Sequence, residues 1–270
     1  MDIALVYMVA GISRRFGGKI KPFAQVGPNN ETLIEYSLNQ AIPAGFSKII
    51  FIVGNKTENP FREKLRDSYR GIPVSYALQK FDENERERPW GSADALCALK
   101  NIIDCPFVVC NGDDIYGKEA FRILVSHLET KSTGATIGYF LKNVLPNQGS
   151  VNRGIFELDS DNSIKSVREE FDVTKENFQQ RRLSEKTLCS MNIYALYPET
   201  VSKLCEILQK FKEEHKGDRR IECLLPRELG NLVKKKELAI QLYPTNEKWF
   251  GVTNPEDESK VREELANLPI

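Results

Sequence analysis

The sequence predicts an α/β fold: a Rossmann-like, mixed and mostly parallel central sheet flanked by helices, with a smaller β-rich portion. Two observations support this prediction. In the first half, apolar β-branched runs alternate with stretches whose apolar residues recur at helical spacing, and this β-α-β-α-β order implies parallel strands joined by right-handed crossovers. After Pro146 the chain becomes more polar and its hydrophobic runs shorten, which indicates a second set of strands.

The individual elements follow from local patterns along the chain. In the first half, strands are predicted at residues 3–9, 48–53, 74–78, 106–110 and 135–141, and helices at 31–41, 59–69, about 92–103 and 119–131. In the second half, strands are predicted at 153–158, 164–169, 188–196 and 238–243, and helices at 198–214 and 221–236. The charged stretch 171–185 is interpreted as a mobile or helical insertion.

Composition narrows the function classes. The 270 residues fit one α/β domain, and 38 Lys and Arg balance 38 Asp and Glu. Zero formal net charge argues against nucleic-acid binding driven by bulk charge. There is no apolar run of membrane-spanning length and no signal-like start, so we expect a cytoplasmic protein without membrane or nucleic-acid partners.

Cysteine and histidine give little sign of metal chemistry. None of the six cysteines forms a C-x-x-C pair, and several lie in apolar runs, so free buried thiols are expected. His127 and His215 both fall in helical stretches and are each expected to be a surface helix residue.

The loop after the first strand is suited to binding phosphate. It carries Gly11, Gly17 and Gly18 together with Ser13 and several cations (Arg14, Arg15, Lys19 and Lys21). Glycines let backbone N–H groups approach phosphate oxygens, and cations neutralise their charge. A surface loop with solvated basic residues remains the alternative, because the spacing matches neither the dinucleotide fingerprint nor the P-loop.

Two later loops carry polar groups at strand ends. Gln79 follows the third strand, and Pro89-Trp90-Gly91-Ser92-Ala93 opens a helix for which Ser92 is a plausible N-cap; simple helix capping is the alternative to nucleotide contact. Asn111-Gly112-Asp113-Asp114 ends the fourth strand. Acidic groups there are costly unless they bind something, such as a hard cation that bridges phosphates; an Asx turn is the alternative.

These motifs, in this order, resemble those of the sugar-nucleotidyltransferase (NDP-sugar pyrophosphorylase) superfamily. The first loop with Lys21-Pro22 resembles the family's A-G-G-x-G-[ST]-R…K-P signature, and Gly112-Asp113 its metal-binding pair. The resemblance continues through Arg153-Gly154, Val167-x-Glu169, Asn192 to Pro198 and the tail from Trp249 to Asp257. It implies a nucleotide-binding half (1–145), an acceptor-binding or lid half (146–254) and a C-terminal helix (255–270) within one domain.

The resemblance also implies residue roles. Arg15, Lys21 and Asp113 would be catalytic, with Asp113 holding Mg²⁺. The implied nucleotide-binding residues are Ala10, Gly11, Ser13, Gln79, Pro89, Gly91, Ser92, Asn111 and Gly112. The implied acceptor-binding residues are Arg153, Gly154, Glu169 and Asn192. The expected substrates are a nucleoside triphosphate and a phosphorylated small molecule, with a homo-oligomer left open.

The expected reaction is transfer of NMP from an NTP to a phosphorylated acceptor, most simply a sugar 1-phosphate, with release of pyrophosphate. The acceptor phosphate attacks the α-phosphorus in line, so catalysis consists mainly of positioning and charge neutralisation. Arg15 would stabilise the departing pyrophosphate, and Lys21 would contact the α-phosphate and the acceptor phosphate.

Two departures from the family pattern keep alternatives open. Glu170 stands where the family has a lysine, and Arg153 or Arg168 could supply that charge. Gly251 stands where the family has its second metal-binding aspartate, for which Asp94 and Asp114 are the candidate substitutes. A cytidylyltransferase acting on a non-sugar phosphorylated molecule and an inactive nucleotide-binding regulator therefore remain alternatives. The base stays open too, since Gln79 offers both a donor and an acceptor.

Overall fold

The structure is a computed structural model that describes residues 1–11, 20–146, 149–252 and 257–267. Its centre is a ten-stranded mixed sheet with helices on both faces. The strands are β1 (Ala4–Met8), β2 (Lys48–Val53), β3 (Ser68–Tyr69), β4 (Ile72–Leu78), β5 (Phe107–Asn111), β6 (Asp114–Ile115), β7 (Gly134–Phe140), β8 (Val151–Leu158), β9 (Ile164–Val173), β10 (Leu188–Leu196), β11 (Ile240–Thr245) and β12 (Phe250–Gly251). The helices are α1 (Leu33–Ala41), α2 (Glu58–Leu65), α3 (Ser92–Cys97), α4 (Lys118–Thr130), α5 (Leu141–Val144), α6 (Pro198–Glu214), α7 (Leu225–Lys234) and α8 (Asp257–Ala266).

The centre of the sheet is parallel, and antiparallel strands extend it. The strand order is β11-β7-β10-β5-β1-β2-β4-β3, with β8 and β9 added beside β10. β1 pairs in parallel with β2 and β5, and β2 with β4. β10 lies antiparallel between β5 and β7. Strands from both halves of the chain thus share one sheet, and the predicted α/β class is confirmed.

The two faces of β1 enter separate cores, because successive strand side chains point to opposite sides of a sheet. Leu5 and Tyr7 pack on the face covered by α1, α2 and α4, whereas Ala4 and Val6 pack on the face covered by α3, α6 and α7. All four side chains are fully buried. This two-sided burial explains the continuous apolar run of β1 and fixes where its carboxyl end lies.

Several predicted boundaries were wrong. The helix predicted at 59–69 ends at Leu65, since Arg66 and Arg70 have φ of 54° and 49° and the chain turns into β3. The helix predicted to reach 103 ends at Cys97. α7 begins at Leu225, with Pro226 in its first turn. Residues 171–185 carry no helix: β9 continues to Val173 and turns follow.

The histidine prediction was wrong for His127, which is only 3% exposed. Its Nε2 donates to the carbonyl oxygen of Thr133 (2.8 Å), so its Nδ1 accepts from the hydroxyl of Tyr243 (3.0 Å). Burial lowers the pKa of His127. All six cysteines are free, and four of them are buried, as expected. No helix among the described residues has the length and apolar character that a membrane span requires.

Candidate active site

The carboxyl ends of β1, β2, β4 and β5 meet at one edge of the sheet, where glycines allow close packing. A Cβ at Gly54, just after β2, would lie 2.8 Å from the carbonyl oxygen of Ala10. A Cβ at Gly112, just after β5, would lie 2.1 Å from Cγ1 of Val9. Both distances are shorter than real Cβ contacts, so a larger residue would push the end of β1 away from its neighbours. The end of β1 therefore packs directly on the glycines that follow β2 and β5.

A cavity of about 350 Å³ opens beside this edge, between β5, β8, β9 and β10. It brings together seven of the residues selected from the sequence: Ser92, Asn111, Asp113, Arg153, Gly154, Glu169 and Asn192. It is also lined by residues that were not selected as site residues: Asp114, Asn152, Ser190, Met191, Leu224, Pro226 and Trp249. The volume is that of a small-molecule site.

Lys21 and Asp113 form an ion pair at this cavity. Nζ of Lys21 lies 3.5 Å from Oδ2 of Asp113. Lys21 begins the short 3-10 turn Lys21–Phe23, and Pro22 is buried beside it, which anchors the lysine backbone. The lysine side chain is 18% exposed and the aspartate side chain 38%, so both remain accessible to a ligand.

Asp114 is the second carboxylate of the cavity and is almost fully buried, at 7% exposure. Its Oδ2 accepts hydrogen bonds from the amide of Asn111 (2.9 Å) and the hydroxyl of Tyr116 (3.2 Å). Burial, and next the charge of Asp113, raise the pKa of Asp114 to about 7. Two adjacent carboxylates, of which one is paired with Lys21, favour a further cation that reaches them.

An amide network joins Asp114 to β10. Nδ2 of Asn192 donates to Oδ1 of Asn111 at 2.8 Å, and Asn111 in turn donates to Asp114. Asn192 has a φ of 62° and lies where the pairing of β10 with β7 is irregular, between Ser190 and Tyr194. Its Oδ1 is buried without a hydrogen-bond partner.

Arg153 supplies positive charge to the cavity. Its Nη1 and Nη2 donate to the carbonyl oxygens of Asn152 and Val144, each at 3.0 Å, and its guanidinium lies 5.5 Å from the ring centre of Trp249. Its Nε is buried without a partner, as is Nε1 of Trp249. Burial lowers the pKa of Arg153. A buried, incompletely bonded guanidinium is suited to an anionic ligand.

Gly154 and Glu169 face each other across β8 and β9. A Cβ at Gly154 would lie 3.3 Å from Oε1 of Glu169, so the glycine leaves room for that carboxylate. Burial raises the pKa of Glu169. The carboxylate therefore lies in a desolvated part of the cavity wall. Hydroxyl groups of a ligand could donate hydrogen bonds to it there and offset the cost of its burial.

Glu170, which replaces the family lysine, does not line the cavity. It is held by Arg168 and by Arg181, whose Nη1 lies 3.4 Å from Oε2. Of the two arginines proposed to replace the lysine charge, Arg168 is 53% exposed and lies outside the cavity lining, whereas Arg153 lies within it.

The structure distinguishes the two candidates for the carboxylate missing at Gly251. Asp94 is bound to Gln79 and Lys212, away from the lining of the cavity, whereas Asp114 lines the cavity next to Asp113. β12 pairs with β6 so that Gly251 lies opposite Asp114. A Cβ at Gly251 would lie 2.4 Å from the ring of Trp249, so the indole takes the space that a side chain there would need.

Gly91 and Ser92 connect the second loop to the cavity. Gly91, not Ser92, is the N-cap of α3; its φ is 102°, and a Cβ there would lie 2.6 Å from the carbonyl oxygen of Cys223. The Ser92 hydroxyl instead accepts a hydrogen bond from the backbone N–H of Leu225 (2.9 Å). The predicted N-cap was therefore wrong by one residue, and Ser92 joins α3 to α7.

The other predicted site residues that the structure describes are not among those that line the cavity. Gln79 donates to the carbonyl oxygen of Gly91 and to Asp94. Ala10 approaches Gly54, Gly11 is exposed and Pro89 is half-buried. Ser13 and Arg15 lie outside the described residues. The sequence did carry a signal for Asp114, since it adjoins Asp113, but none for Asn152, Ser190 or Leu224.

The comparisons with known proteins agree with this architecture. A sequence profile described as "Nucleotidyl transferase" matches residues 18–266. A UTP–glucose-1-phosphate uridylyltransferase of Haloferax volcanii is 27% identical over 115 residues, which are 43% of this chain and 44% of that protein. The chain thus spans less than half the length of the curated relatives that it matches.

Solved structures share the fold along nearly the whole chain. One, described as a glucose-1-phosphate thymidylyltransferase from Bacillus anthracis in complex with sucrose, has a TM-score of 0.71 and 13% identity, covering 99% of this chain and 97% of that one. The inositol-1-phosphate CTP transferase from T. maritima has a TM-score of 0.68 and 15% identity, covering 98% of this chain and 95% of that one. At these identities the similarity shows the fold alone.

Proposed function

Since this chain belongs to the nucleotidyl transferase family, we propose that it transfers NMP from a nucleoside triphosphate to a phosphorylated small molecule, most simply a sugar 1-phosphate, and releases pyrophosphate. The observation that carries the proposal is the Lys21–Asp113 ion pair at the junction of the strand-end loops and the cavity. A cation and a carboxylate there can act on a phosphoryl group that passes between a nucleotide and an acceptor. We assign residues 1–145 mainly to the nucleotide and 146–254 mainly to the acceptor.

In the proposed reaction an oxygen of the acceptor phosphate attacks the α-phosphorus in line with the departing pyrophosphate. A phosphate monoester is already anionic near neutral pH, so no protein nucleophile is required. Lys21 neutralises the α-phosphate and the incoming acceptor phosphate, and Arg15 stabilises the pyrophosphate. The backbone at Ala10 and Gly11, with Ser13, would contact the triphosphate. Electrostatic positioning of this kind is a large share of phosphoryl-transfer catalysis.

The residues present fit a divalent cation such as Mg²⁺, which prefers oxygen ligands. Asp113 would hold it, and Asp114 would take the place of the carboxylate that Gly251 lacks. Bound there, the cation would neutralise charge on the phosphates. The raised pKa of Asp114 fits this assignment, since burial and the adjacent carboxylate of Asp113 disfavour its charged form and a bound cation would favour it again.

For the acceptor, we propose that Arg153 contacts its phosphate and that Glu169 and Asn192 contact its hydroxyl groups. Arg153 replaces the family lysine because it has an unpartnered, buried Nε on the cavity. Oδ1 of Asn192 is likewise unpartnered and buried, and it would accept from a hydroxyl. Because NTPs and phosphorylated metabolites are cytoplasmic compounds, we expect the reaction to take place there.

A second candidate function, cytidylyl transfer to a non-sugar phosphorylated molecule, is favoured by one observation. Position 170 carries a carboxylate, which is paired with Arg168 and Arg181, and so it supplies no positive charge to the cavity. The acceptor phosphate would then be bound by a residue other than the family lysine. A site that binds the phosphate differently can accommodate an acceptor that is not a sugar. The T. maritima protein, an inositol-1-phosphate CTP transferase by description, shows that the fold serves such acceptors.

Pyrophosphate release measured across a matrix of nucleotides and acceptors tests both candidates. UTP, dTTP, GTP, CTP and ATP would each be combined with hexose 1-phosphates, inositol 1-phosphate, phosphocholine and phosphoethanolamine, with Mg²⁺ or with EDTA. We expect release with one hexose 1-phosphate and Mg²⁺, and none with EDTA. Release only with CTP and a non-sugar acceptor would select the second candidate. Nucleotide binding without release in any combination would contradict both and support an inactive nucleotide-binding regulator.

A further inference from the structure

Gln79 is a buried amide whose donor side is fully engaged. It directly follows β4 and is 6% exposed. Its Nε2 donates to the carbonyl oxygen of Gly91 at 3.2 Å and to Oδ2 of Asp94 at 2.7 Å. An amide nitrogen has two hydrogens, so these two acceptors use both of them. No described residue donates to its Oε1 in return.

Asp94 is itself held from the other half of the chain. It lies on α3 at 6% exposure, and its Oδ1 accepts from Nζ of Lys212 on α6 at 2.7 Å. Its two carboxylate oxygens therefore have separate partners, Lys212 on one and Gln79 on the other. Because a carboxylate has no hydrogen to donate, it accepts from Gln79 only in the observed amide orientation.

The opposite amide orientation is strongly disfavoured. Turning the amide of Gln79 over would bring Oε1 against both the Gly91 carbonyl oxygen and the Asp94 carboxylate. Two oxygen–oxygen contacts in a buried place would replace two hydrogen bonds, one of them charge-assisted. The identity of the neighbouring groups thus settles which amide atom is left for a ligand, and that atom is the oxygen.

We infer that Asp94, positioned by Lys212, presets Gln79 as a hydrogen-bond acceptor for the nucleobase, so that the site selects bases with a ring N–H on their pairing edge. Uracil, thymine and guanine carry a hydrogen on the ring nitrogen at the middle of that edge, whereas cytosine and adenine carry a lone pair there. An acceptor oxygen binds the first group and repels the second. The inference rests on the proposed function in taking the loop at Gln79 and Gly91 as the base site, and it names the class of nucleotide for that site.

The substitution Asp94→Asn tests this inference because it replaces one of the two carboxylate oxygens, which accept hydrogen bonds, by an amide nitrogen, which donates them. The introduced asparagine has a single side-chain oxygen. We expect this oxygen to accept the hydrogen bond from the ammonium of Lys212, so that the amide nitrogen faces Gln79. The observed orientation of the Gln79 amide then keeps its hydrogen bond to the Gly91 carbonyl oxygen but loses its charge-assisted partner, and the opposite orientation gains the introduced amide nitrogen as a donor. The two orientations become comparable, and the one that presents Nε2 outward suits cytosine or adenine. A merely structural role of Asp94 would weaken binding of all nucleotides equally. Asp104→Asn, at an exposed carboxylate paired with Lys48, is the matched control.

The readout is the ratio of equilibrium dissociation constants for UTP, dTTP and GTP against CTP and ATP, measured by calorimetry with Mg²⁺, and the same ratio of kcat/KM where turnover occurs. In the wild type we expect the best binder among the first three. In Asp94→Asn we expect the ratio to move towards CTP and ATP by about tenfold, because Gln79 is no longer held in a single orientation and one buried hydrogen bond to the base is no longer fixed as an acceptor. The Asp104→Asn variant should leave it unchanged.

A second measurement needs no variant and therefore does not depend on Asp94→Asn folding. The preferred nucleotide is compared with its ring-N-methylated form, 3-methyluridine or 1-methylguanosine triphosphate, which lacks the N–H. We expect the wild type to bind the methylated form at least tenfold more weakly. Equal binding, a wild-type preference for CTP or ATP, or an unchanged ratio in folded Asp94→Asn would each overturn the inference. Binding is measured separately from turnover. Selective nucleotide binding without pyrophosphate release would therefore support the inference about the base and contradict the proposed transferase activity.

Discussion

The strand-end edge and the neighbouring cavity are built in different ways. At the edge, Gly54 packs on the carbonyl oxygen of Ala10 and Gly112 on the side chain of Val9, at distances that a Cβ would not tolerate. In the cavity, side chains from distant parts of the chain meet, and polar atoms of Arg153, Asn192 and Trp249 remain buried without partners. Among the described residues, the buried side-chain polar atoms without partners lie in the cavity, where they leave hydrogen-bonding capacity that a ligand would satisfy. Changes at the edge should therefore act through stability, and changes in the cavity through ligand affinity.

The largest effect is expected where the two regions meet, at Lys21 and Asp113. Lys21→Met or Asp113→Asn should lower kcat by about 100-fold or more, because each removes a charge that acts on the reacting phosphates. Both side chains are partly exposed, so the unfolding transition should change little. Lys48→Met is the control, since it breaks an ion pair with Asp104 far from the site. Near-normal turnover in either site variant would contradict the assignment.

Gly54→Ala should separate the two regions by acting on the edge alone. The added methyl group would lie 2.8 Å from the Ala10 carbonyl oxygen, and since that atom is backbone, the end of β1 must shift. We expect a loss of about 1–3 kcal/mol in the free energy of unfolding, measured by denaturant titration. Gly11→Ala is the stability control, because no atom of the described residues lies within 4 Å of a Cβ there. Equal stability of the two variants would show that the edge is not closely packed.

The same division explains what the sequence could predict. The strands of the edge could be predicted from apolar runs, and its loops from glycines and cations, because these signals are local in the sequence. The cavity depends on contacts between distant residues, so the sequence could suggest both Asp94 and Asp114 for the missing carboxylate but could not choose between them. The N-cap at Gly91 and the burial of His127 were missed for the same reason: each is decided by a distant partner, Cys223 in one case and Tyr243 in the other.

Arg153→Met should act on the cavity alone. Its guanidinium is buried, and the removal of a buried, incompletely bonded charge costs little stability when an apolar side chain fills the space. We expect the KM for the phosphorylated acceptor to rise about tenfold or more while the dissociation constant for the nucleotide is unchanged. Arg168→Met is the matched control, because Arg168 lies outside the cavity lining. An equal rise in the acceptor KM of both variants would contradict the assignment of the acceptor phosphate to Arg153 alone and would indicate that Arg168 contributes.

The smallest effect concerns two glutamates whose surroundings shift their pKa values in opposite directions. In the cavity, burial raises the pKa of Glu169. At the start of α1, burial would also raise the pKa of Glu35, but hydrogen bonds from Thr32 outweigh it and the pKa is lowered. The neutral form of Glu169 is therefore favoured in the folded state, and the charged form of Glu35.

The sign of each pH effect follows from proton linkage. For Glu169 the folded protein binds the proton more tightly than the unfolded chain, so its contribution to stability is present at low pH and lost as pH rises through the raised pKa. For Glu35 the contribution is present above the ordinary glutamate pKa and lost as pH falls through the lowered one. We expect Glu169→Gln to remove part of any decline in stability above about pH 4.5, and Glu35→Gln to remove part of any decline below it, both measured by denaturant titration across pH 3 to 8. If the two variants changed the pH profile in the same direction, the cavity would not be the desolvated region that distinguishes it from the rest of the fold.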